Sequence, residues 1–311
     1  MTVNEVLAEG TSLLASGSDT ARIDTPALDS SILLAHILNL DRSDLITRGN
    51  ETVSEQDRQN YKALLNRRIS GECVAYITGH KEFYGLEFNV NPGVLVPRPD
   101  TEILVETAIN ICKAREKDIH SDTAVHGPKV LDLCTGSGAI AIALKHEIPN
   151  AEVWASDISP KALETAKANC KKLLRADSGP AGQITFLEGD LFGNKNGNNG
   201  ILNRDKQKFD FVLTNPPYVP TDQINFLSAE VQFEPKLALD GGTDGLDIIK
   251  KIIQQSPRYL SSGGILLMEA DPNQMPKIRD LLEENNFGNI KIYKDLVGME
   301  RVIGGTVKSI T

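Results

Sequence analysis

The chain has 311 residues, a formal charge of −9 and a hydrophobic fraction of 40%. The length suggests two domains, the apolar content is that of an ordinary globular chain, and no run approaches the roughly 20 continuous apolar residues that span a bilayer. The acidic excess argues against a large nucleic-acid footprint, because Lys and Arg supply phosphate affinity; neither stable nucleic-acid binding nor membrane insertion is expected.

In chain order, the opening MTVNEVLAEG holds two acids, and no Lys or Arg precedes Arg22. It reads as neither a secretory nor a mitochondrial targeting segment, so a cytoplasmic location is expected, with an organelle as the alternative if the source is eukaryotic. Residues 1–72 read as a helical domain with amphipathic segments at 3–15, 25–39 and 54–70. Thr25 is a candidate cap with Pro26 at the first helical position. Ser54 opens the third segment, with Asp57 three residues on and Gly71 beyond its end. Residues 1–90 carry 13 Asp and Glu against 8 Lys and Arg, so the front of the chain is acidic. Residues 73–96 mix aromatic and β-branched residues with glycines, as a hairpin connector does.

From 97 to 311 the pattern alternates. Helices are expected at 101–114, 138–147, 160–174, 244–260 and 273–286, and strands at 129–133, 152–156, 183–188, 209–214, 264–269, 289–294 and 300–304. Strands separated by helices predict an α/β domain with a mostly parallel sheet and helices on both faces. The Gly- and Asn-rich stretch 193–206 reads as a mobile surface insertion. Four scattered cysteines (Cys73, Cys112, Cys134, Cys170) form no C-x-x-C pair, and the five histidines show no ligand spacing, so no metal is expected. Trp154 is expected in the core beneath the second strand of this domain.

The segment KVLDLCTGSGAIAIAL (129–144) runs an apolar strand into a glycine turn and an apolar helix. Such a turn lets backbone approach a ligand, and the helix start offers free N–H groups. Asp157 lies at the next strand end, 19 residues after Gly138, where a carboxylate can accept from both hydroxyls of a ribose. A ligand-free turn is the bland alternative. The dinucleotide pattern G-x-G-x-x-G fails, because Ala141 holds the third glycine position. The run D-x-x-T-G-S-G resembles the first motif of class I, Rossmann-like methyltransferases. That resemblance implies S-adenosylmethionine as cofactor, bound by Cys134, Thr135, Gly136, Ser137, Gly138 and Asp157. Cys134 stands where those proteins commonly have a glycine, and a cysteine disfavours positive φ. By the same resemblance Asp190 and Leu191, in ITFLEGDLF, face the adenine; a capping Asp190 with Phe192 in the core is the alternative.

The strand FVLT ends in Asn215-Pro216-Pro217-Tyr218. Each proline lacks an N–H and holds its predecessor extended, which leaves a stiff corner rich in acceptors at the carboxyl end of a strand, where α/β sheets bind ligands. A planar –NH2 is a poor nucleophile, and a site that methylates it must grip both N–H bonds. The Asn215 side-chain oxygen and the Pro216 carbonyl can each accept one, more strongly as the nitrogen becomes tetrahedral. Tyr218 can stack on the flat face of the acceptor, aligning it for in-line transfer. The alternative is a proline turn with Tyr218 plugging the core. Asn215, Pro216 and Tyr218 are the candidate catalytic residues, Asn215 also bordering the donor; with Pro217 they form the candidate substrate site. The motif resembles the [ND]-P-P-[YFW] of methyltransferases acting on planar nitrogens.

Further motifs, in order, resemble the HemK/PrmC family of glutamine-N5 methyltransferases: GVLVPRPDTEILVE (93–106), the glycine turn, S-D-I-S-P-K-A-L, G-D-L-F, N-P-P-Y-V, FEPKLALDGGTDGL, GGILLMEA and KDLVGMERVIGG. One departure is MEADPNQ (268–274), where the family often has E-I-G before a Gln; Glu269 is retained. The resemblance implies a class 1 peptide chain release factor as partner and protein substrate, methylated at the glutamine of its Gly-Gly-Gln motif. It implies an antiparallel closing strand in the sheet, places Arg98 and Glu102 at the donor entrance, with a hinge salt bridge as the alternative, and gives the front helices a docking role, with a packing domain that covers the sheet as the alternative; 234–245 reads as a substrate-side lid or an ordered surface loop. An adenine or guanine amino-methyltransferase is the rival reading, which would want a basic recognition domain; a non-catalytic partner subunit is the third.

Overall fold

The computed structural model describes residues 1–17, 23–118, 127–174, 184–193 and 208–308. Its elements in chain order are α1 (Val3–Ala15), α2 (Pro26–Leu38), α3 (Arg42–Thr47), α4 (Glu55–Ile69), α5 (Val74–Thr78), β1 (His80–Phe83), β2 (Leu86–Asn89), a 3-10 turn (Pro99–Thr101), α6 (Glu102–Asp118), β3 (Lys129–Leu133), α7 (Ala139–Glu147), β4 (Glu152–Asp157), α8 (Pro160–Leu173), β5 (Thr185–Glu188), β6 (Phe209–Thr214), α9 (Ala229–Gln232), α10 (Asp247–Gln255), β7 (Leu260–Glu269), α11 (Met275–Glu284), β8 (Phe287–Lys294) and β9 (Glu300–Val307). The expected insertion, from 194 on, lies outside the described residues, as do His120 and His126. The chain divides into two compact units, Met1–His80 with Asn225–Glu234, and Lys81–Ile224 with Pro235–Thr311.

The first unit packs α1, α2 and α4 around Val6, Leu33, Leu34, Tyr61 and Leu65. Ser54 caps α4, its hydroxyl accepting from the Asp57 amide at 3.1 Å. Thr25 makes no such cap; its hydroxyl donates instead to the Asp29 carboxylate at 2.9 Å. Asp29 is held by Arg68, which is 3% exposed and donates Nε to it at 2.7 Å. Arg68 also pairs with Glu230 of α9, tying segment 225–234 into this unit. A buried guanidinium left without these carboxylates would be strongly destabilising. The sequence reading has no counterpart for α3 and α5, whose 6 and 5 residues are too few to show a helical period.

In the second unit a seven-stranded sheet runs in the order β5-β4-β3-β6-β7-β9-β8. β5 to β7 pair parallel, while β9 and β8 close the sheet antiparallel. The register sets Leu133 beside Ser156 and Thr214, and Thr214 beside Met268. The carboxyl ends of four strands therefore open side by side, on either side of the point where the chain reverses its winding. The Ala- and Ile-rich α7 is buried on one face, and α10 and α11 cover the other with Ile249, Ile252, Ile278 and Leu282. Trp154 is half-buried, edge-on to Phe209 at 5.2 Å between ring centres. The helix expected over 244–260 ends at Gln255, because Pro257 enters a 3-10 turn and β7 starts at Leu260. No helix among the described residues is long and apolar enough to cross a membrane.

Candidate active site

β3 runs into a turn in which Cys134, Gly136 and Gly138 have φ of +58°, +57° and +84°. Cys134 thus adopts the left-handed conformation its side chain disfavours. Bonds on either side impose it. The Thr135 amide donates to the Ser156 carbonyl at 3.0 Å, and the Thr135 hydroxyl to Asp132 Oδ2 at 2.6 Å. The same oxygen accepts from the Ala141 amide in the first turn of α7 at 3.2 Å. Burial pushes the Asp132 carboxyl up to about 7, although both of these bonds pull the other way. Burial, then the Asp157 and Asp132 carboxylates, also push the Cys134 thiol upward, which keeps it neutral. At Gly138 a Cβ would fall 2.9 Å from Ile142 and 3.1 Å from Ala166, so glycine is what lets α7 lie against α8.

Asp157 ends β4. Its Oδ2 accepts from the Gly136 amide at 2.9 Å and its Oδ1 from the Ser159 amide at 2.8 Å. Burial raises its pKa, and these amides oppose the rise. Each oxygen keeps a further lone pair. Asp157, Cys134, Gly136, Asp190, Leu191, Asn215 and Pro217 line one cleft, together with Pro235, Leu237 and Asp240 of the expected lid. Thr135 and Ser137 line an adjoining pocket with Arg98, Thr101 and Asn215. Gly138, Pro216 and Tyr218 line neither. Glu102 is also outside both; its carboxylate accepts from the Tyr84 amide at 3.0 Å.

The other half of the site begins where β6 ends. The Thr214 hydroxyl donates to the Leu133 carbonyl at 2.9 Å, locking β6 to β3. Asn215, half-buried, donates Nδ2 to the Thr101 hydroxyl at 3.1 Å. Pro216 is buried behind it. The Tyr218 hydroxyl donates to Glu269 Oε1 at 3.3 Å, and burial followed by that carboxylate pushes the phenol pKa upward. The Tyr218 carbonyl accepts from Gln274 Nε2 at 2.9 Å. Segment 234–245 joins the corner through Val219 N to Leu239 O and Gly241 N to Val219 O, both 2.9 Å. Gly245 sits so close that a Cβ would meet the Tyr218 carbonyl at 2.2 Å.

Four polar residues that the sequence reading assigned no role thus hold the site: Asp132, Thr101, Glu269 and Gln274. Their traces were present, since Thr101 belongs to P-R-P-D-T-E and Asp132 opens D-L-C-T-G.

Residues 5–79 match the family model of the PrmC N-terminal domain, and residues 118–233 that of the methyltransferase small domain. The release factor glutamine methyltransferase of Burkholderia pseudomallei is 39% identical over 279 residues, 90% of this chain and 91% of that one. The chain belongs to the release factor glutamine methyltransferase family. The family member of Moorella thermoacetica is 35% identical over 302 residues, 97% of each chain. Among solved structures, the release factor-specific protein-(glutamine-N5) methyltransferase of Alicyclobacillus acidocaldarius is 23% identical, with a TM-score of 0.40, covering 71% of this chain and all of that one. The family and the mostly parallel methyltransferase sheet read from the motifs are both borne out.

Proposed function

We propose that this chain transfers a methyl group from S-adenosylmethionine to the side-chain amide nitrogen of the glutamine in the Gly-Gly-Gln motif of a class 1 peptide chain release factor. The carrying observation is Asn215. It stands at the end of β6 in the lining of the same cleft as Cys134, Gly136 and Asp157, with its Nδ2 already committed to Thr101. The other end of this amide is the oxygen, an acceptor for an incoming N–H.

The cleft suits the donor. Asp157 retains acceptor capacity for a ribose. Asp190 and Leu191 offer a polar and an apolar contact for an adenine, and the turn at Cys134 and Gly136 exposes backbone to the cleft. S-adenosylmethionine, when bound, supplies a methyl group carried on a sulfonium sulfur. The chain's own residues prepare the acceptor. Asn215 Oδ1 and the Pro216 carbonyl take one N–H each. They favour a nitrogen turning tetrahedral, whose N–H bonds grow more acidic, so stabilisation rises toward the transition state. Tyr218, packed against the core beside the cleft, braces the corner that carries Asn215, its hydroxyl held by Glu269. Pro235 and Leu237 give the cleft apolar lining on the side of segment 234–245.

The test is incubation of the protein with labelled methyl donor and, in separate arms, a release factor, DNA and RNA. One added methyl on the Gly-Gly-Gln glutamine is expected by mass spectrometry. Asn215→Ala should cut kcat on the order of 10²- to 10³-fold. Label on a nucleobase, or none in any arm, overturns the proposal.

A further inference from the structure

An asparagine amide has a donor end and an acceptor end of nearly the same shape, and only its partners decide which way it faces. Turned round, Asn215 would present N–H to an incoming N–H. Its partner is a hydroxyl, which can itself donate or accept, so the Thr101 contact alone leaves the orientation open. The next group in the chain of contacts closes it. Thr101, 4% exposed, lies close enough to the Glu269 carboxylate to lower its pKa, as the Tyr218 hydroxyl does. Glu269 is 2% exposed at the end of β7, and its Oε2 accepts no hydrogen bond among the described residues, so its lone pairs are open to the neighbouring Thr101 hydroxyl. A carboxylate only accepts. It draws the Thr101 proton and leaves the Thr101 lone pair for Asn215 Nδ2.

We propose that Thr101 and Glu269 form a relay that fixes the Asn215 amide with its oxygen toward the acceptor, and so are positioning residues for methyl transfer. The inference rests on the reading of Asn215 given above. The same carboxylate holds Tyr218, so one buried anion orients both side chains of the corner. The relay spans three separate stretches of chain: the 3-10 turn before α6, the end of β6 and the end of β7.

The relay makes activity depend on the charge of Glu269. Burial, the largest influence, carries its carboxyl up to about 7; the Thr101 and Tyr218 hydroxyls lower it, Asp100 raises it and Arg301 lowers it. Arg301 and Arg98 also act on the Tyr218 phenol. Once protonated, Glu269 becomes a donor and stops polarising Thr101, so kcat should fall as pH drops through about 7.

The experiment measures kcat, KM for the release factor and the donor Kd from pH 6 to 9 for the full-length protein and its variants. Thr101→Val should lower kcat about 10- to 100-fold and leave the donor Kd within about twofold, whereas Thr101→Ser should restore kcat to within about threefold. Glu269→Gln should lower kcat about tenfold and abolish the acidic limb near 7. The double variant should lose little more than the worse single one, because both act through Asn215. A Thr101→Ser loss equal to that of Thr101→Val, a limb that persists in Glu269→Gln, or losses that multiply would each overturn the relay. If Glu269→Gln does not fold, the Thr101 pair decides alone. Full methylation by Asn215→Ala would instead sink the functional reading, and an inactive Asn215→Ala beside unaffected Thr101→Val would sink only the relay.

Discussion

The two halves of the cleft are fastened by different means. On the donor side, Asp132 and Asp157 accept from backbone amides of Ala141, Gly136 and Ser159, and these three links span at most 21 residues. On the acceptor side, side chain grips side chain over long intervals: Asn215 to Thr101 across 114 residues, and Tyr218 to Glu269 across 51. Backbone-to-carboxylate bonds fix a peptide turn whose job is to present N–H and C=O groups to a ligand. Side-chain links fix the facing of an amide and a ring, the features that distinguish a reacting nitrogen from a flat one. Damage to the first half should therefore appear as lost donor affinity, and damage to the second as lost turnover. The Asn215→Ala and Thr101→Val losses given above are the acceptor-side extremes of that contrast.

Asp157→Ala is the strongest probe of the donor half. It removes a proposed ribose contact and leaves the Gly136 and Ser159 amides without their acceptor. Hydrogen bonds to a charged group contribute about 1.5–3 kcal/mol each. The donor Kd should rise about 100-fold by calorimetry, while kcat at saturating donor stays within about threefold. A kcat collapse with unchanged Kd would erase the division between the halves.

Gln274→Ala probes the acceptor half more gently. It removes the side-chain bond from Gln274 Nε2 to the Tyr218 carbonyl, loosening the corner without touching Asn215. One buried carbonyl left unpaired costs about 1–3 kcal/mol. About a tenfold fall in kcat with an unaltered donor Kd is the expected single-turnover result. A weakened donor Kd would mean that the corner also builds the donor pocket.

The same contrast governs what the sequence disclosed. The glycine turn, Asp157 and the N-P-P-Y corner were readable because each packs its chemistry into a few consecutive residues at a strand end. The sheet was readable because β3, β6 and β7 are apolar runs buried nearly throughout. Thr101, Glu269 and Gln274 meet the corner only in the fold, which brings Thr101 to Asn215 and sets Glu269 and Gln274 against Tyr218. No local period encodes that meeting. Glu269 in particular looks like a charge at the end of an apolar strand until its burial is known. The same applies in the first unit to Arg68, one arginine of a basic pair until Asp29 and Glu230 close on it.

The smallest effect tests whether donor-side side chains matter at all where backbone is the working part. Cys134 holds φ +58°, a conformation that costs a residue with a Cβ about 1–2 kcal/mol. Cys134→Gly relieves that strain but gives the unfolded chain more freedom, worth about 0.5–1 kcal/mol in the opposite direction. The difference leaves about 0.5 kcal/mol in favour of glycine, a rise in Tm of about 1–2 °C for a domain of this size. Cys134→Val, β-branched at the same φ, should lower Tm instead, because a second branch at Cβ crowds the carbonyl that the cysteine only just clears. The donor Kd of Cys134→Gly should stay within about twofold, since the thiol is neutral and the Thr135, Asp132 and Asp157 bonds that shape the turn survive. A tenfold weakening would show that the sulfur itself touches the donor, and the turn would then work partly through a side chain, as the acceptor half does.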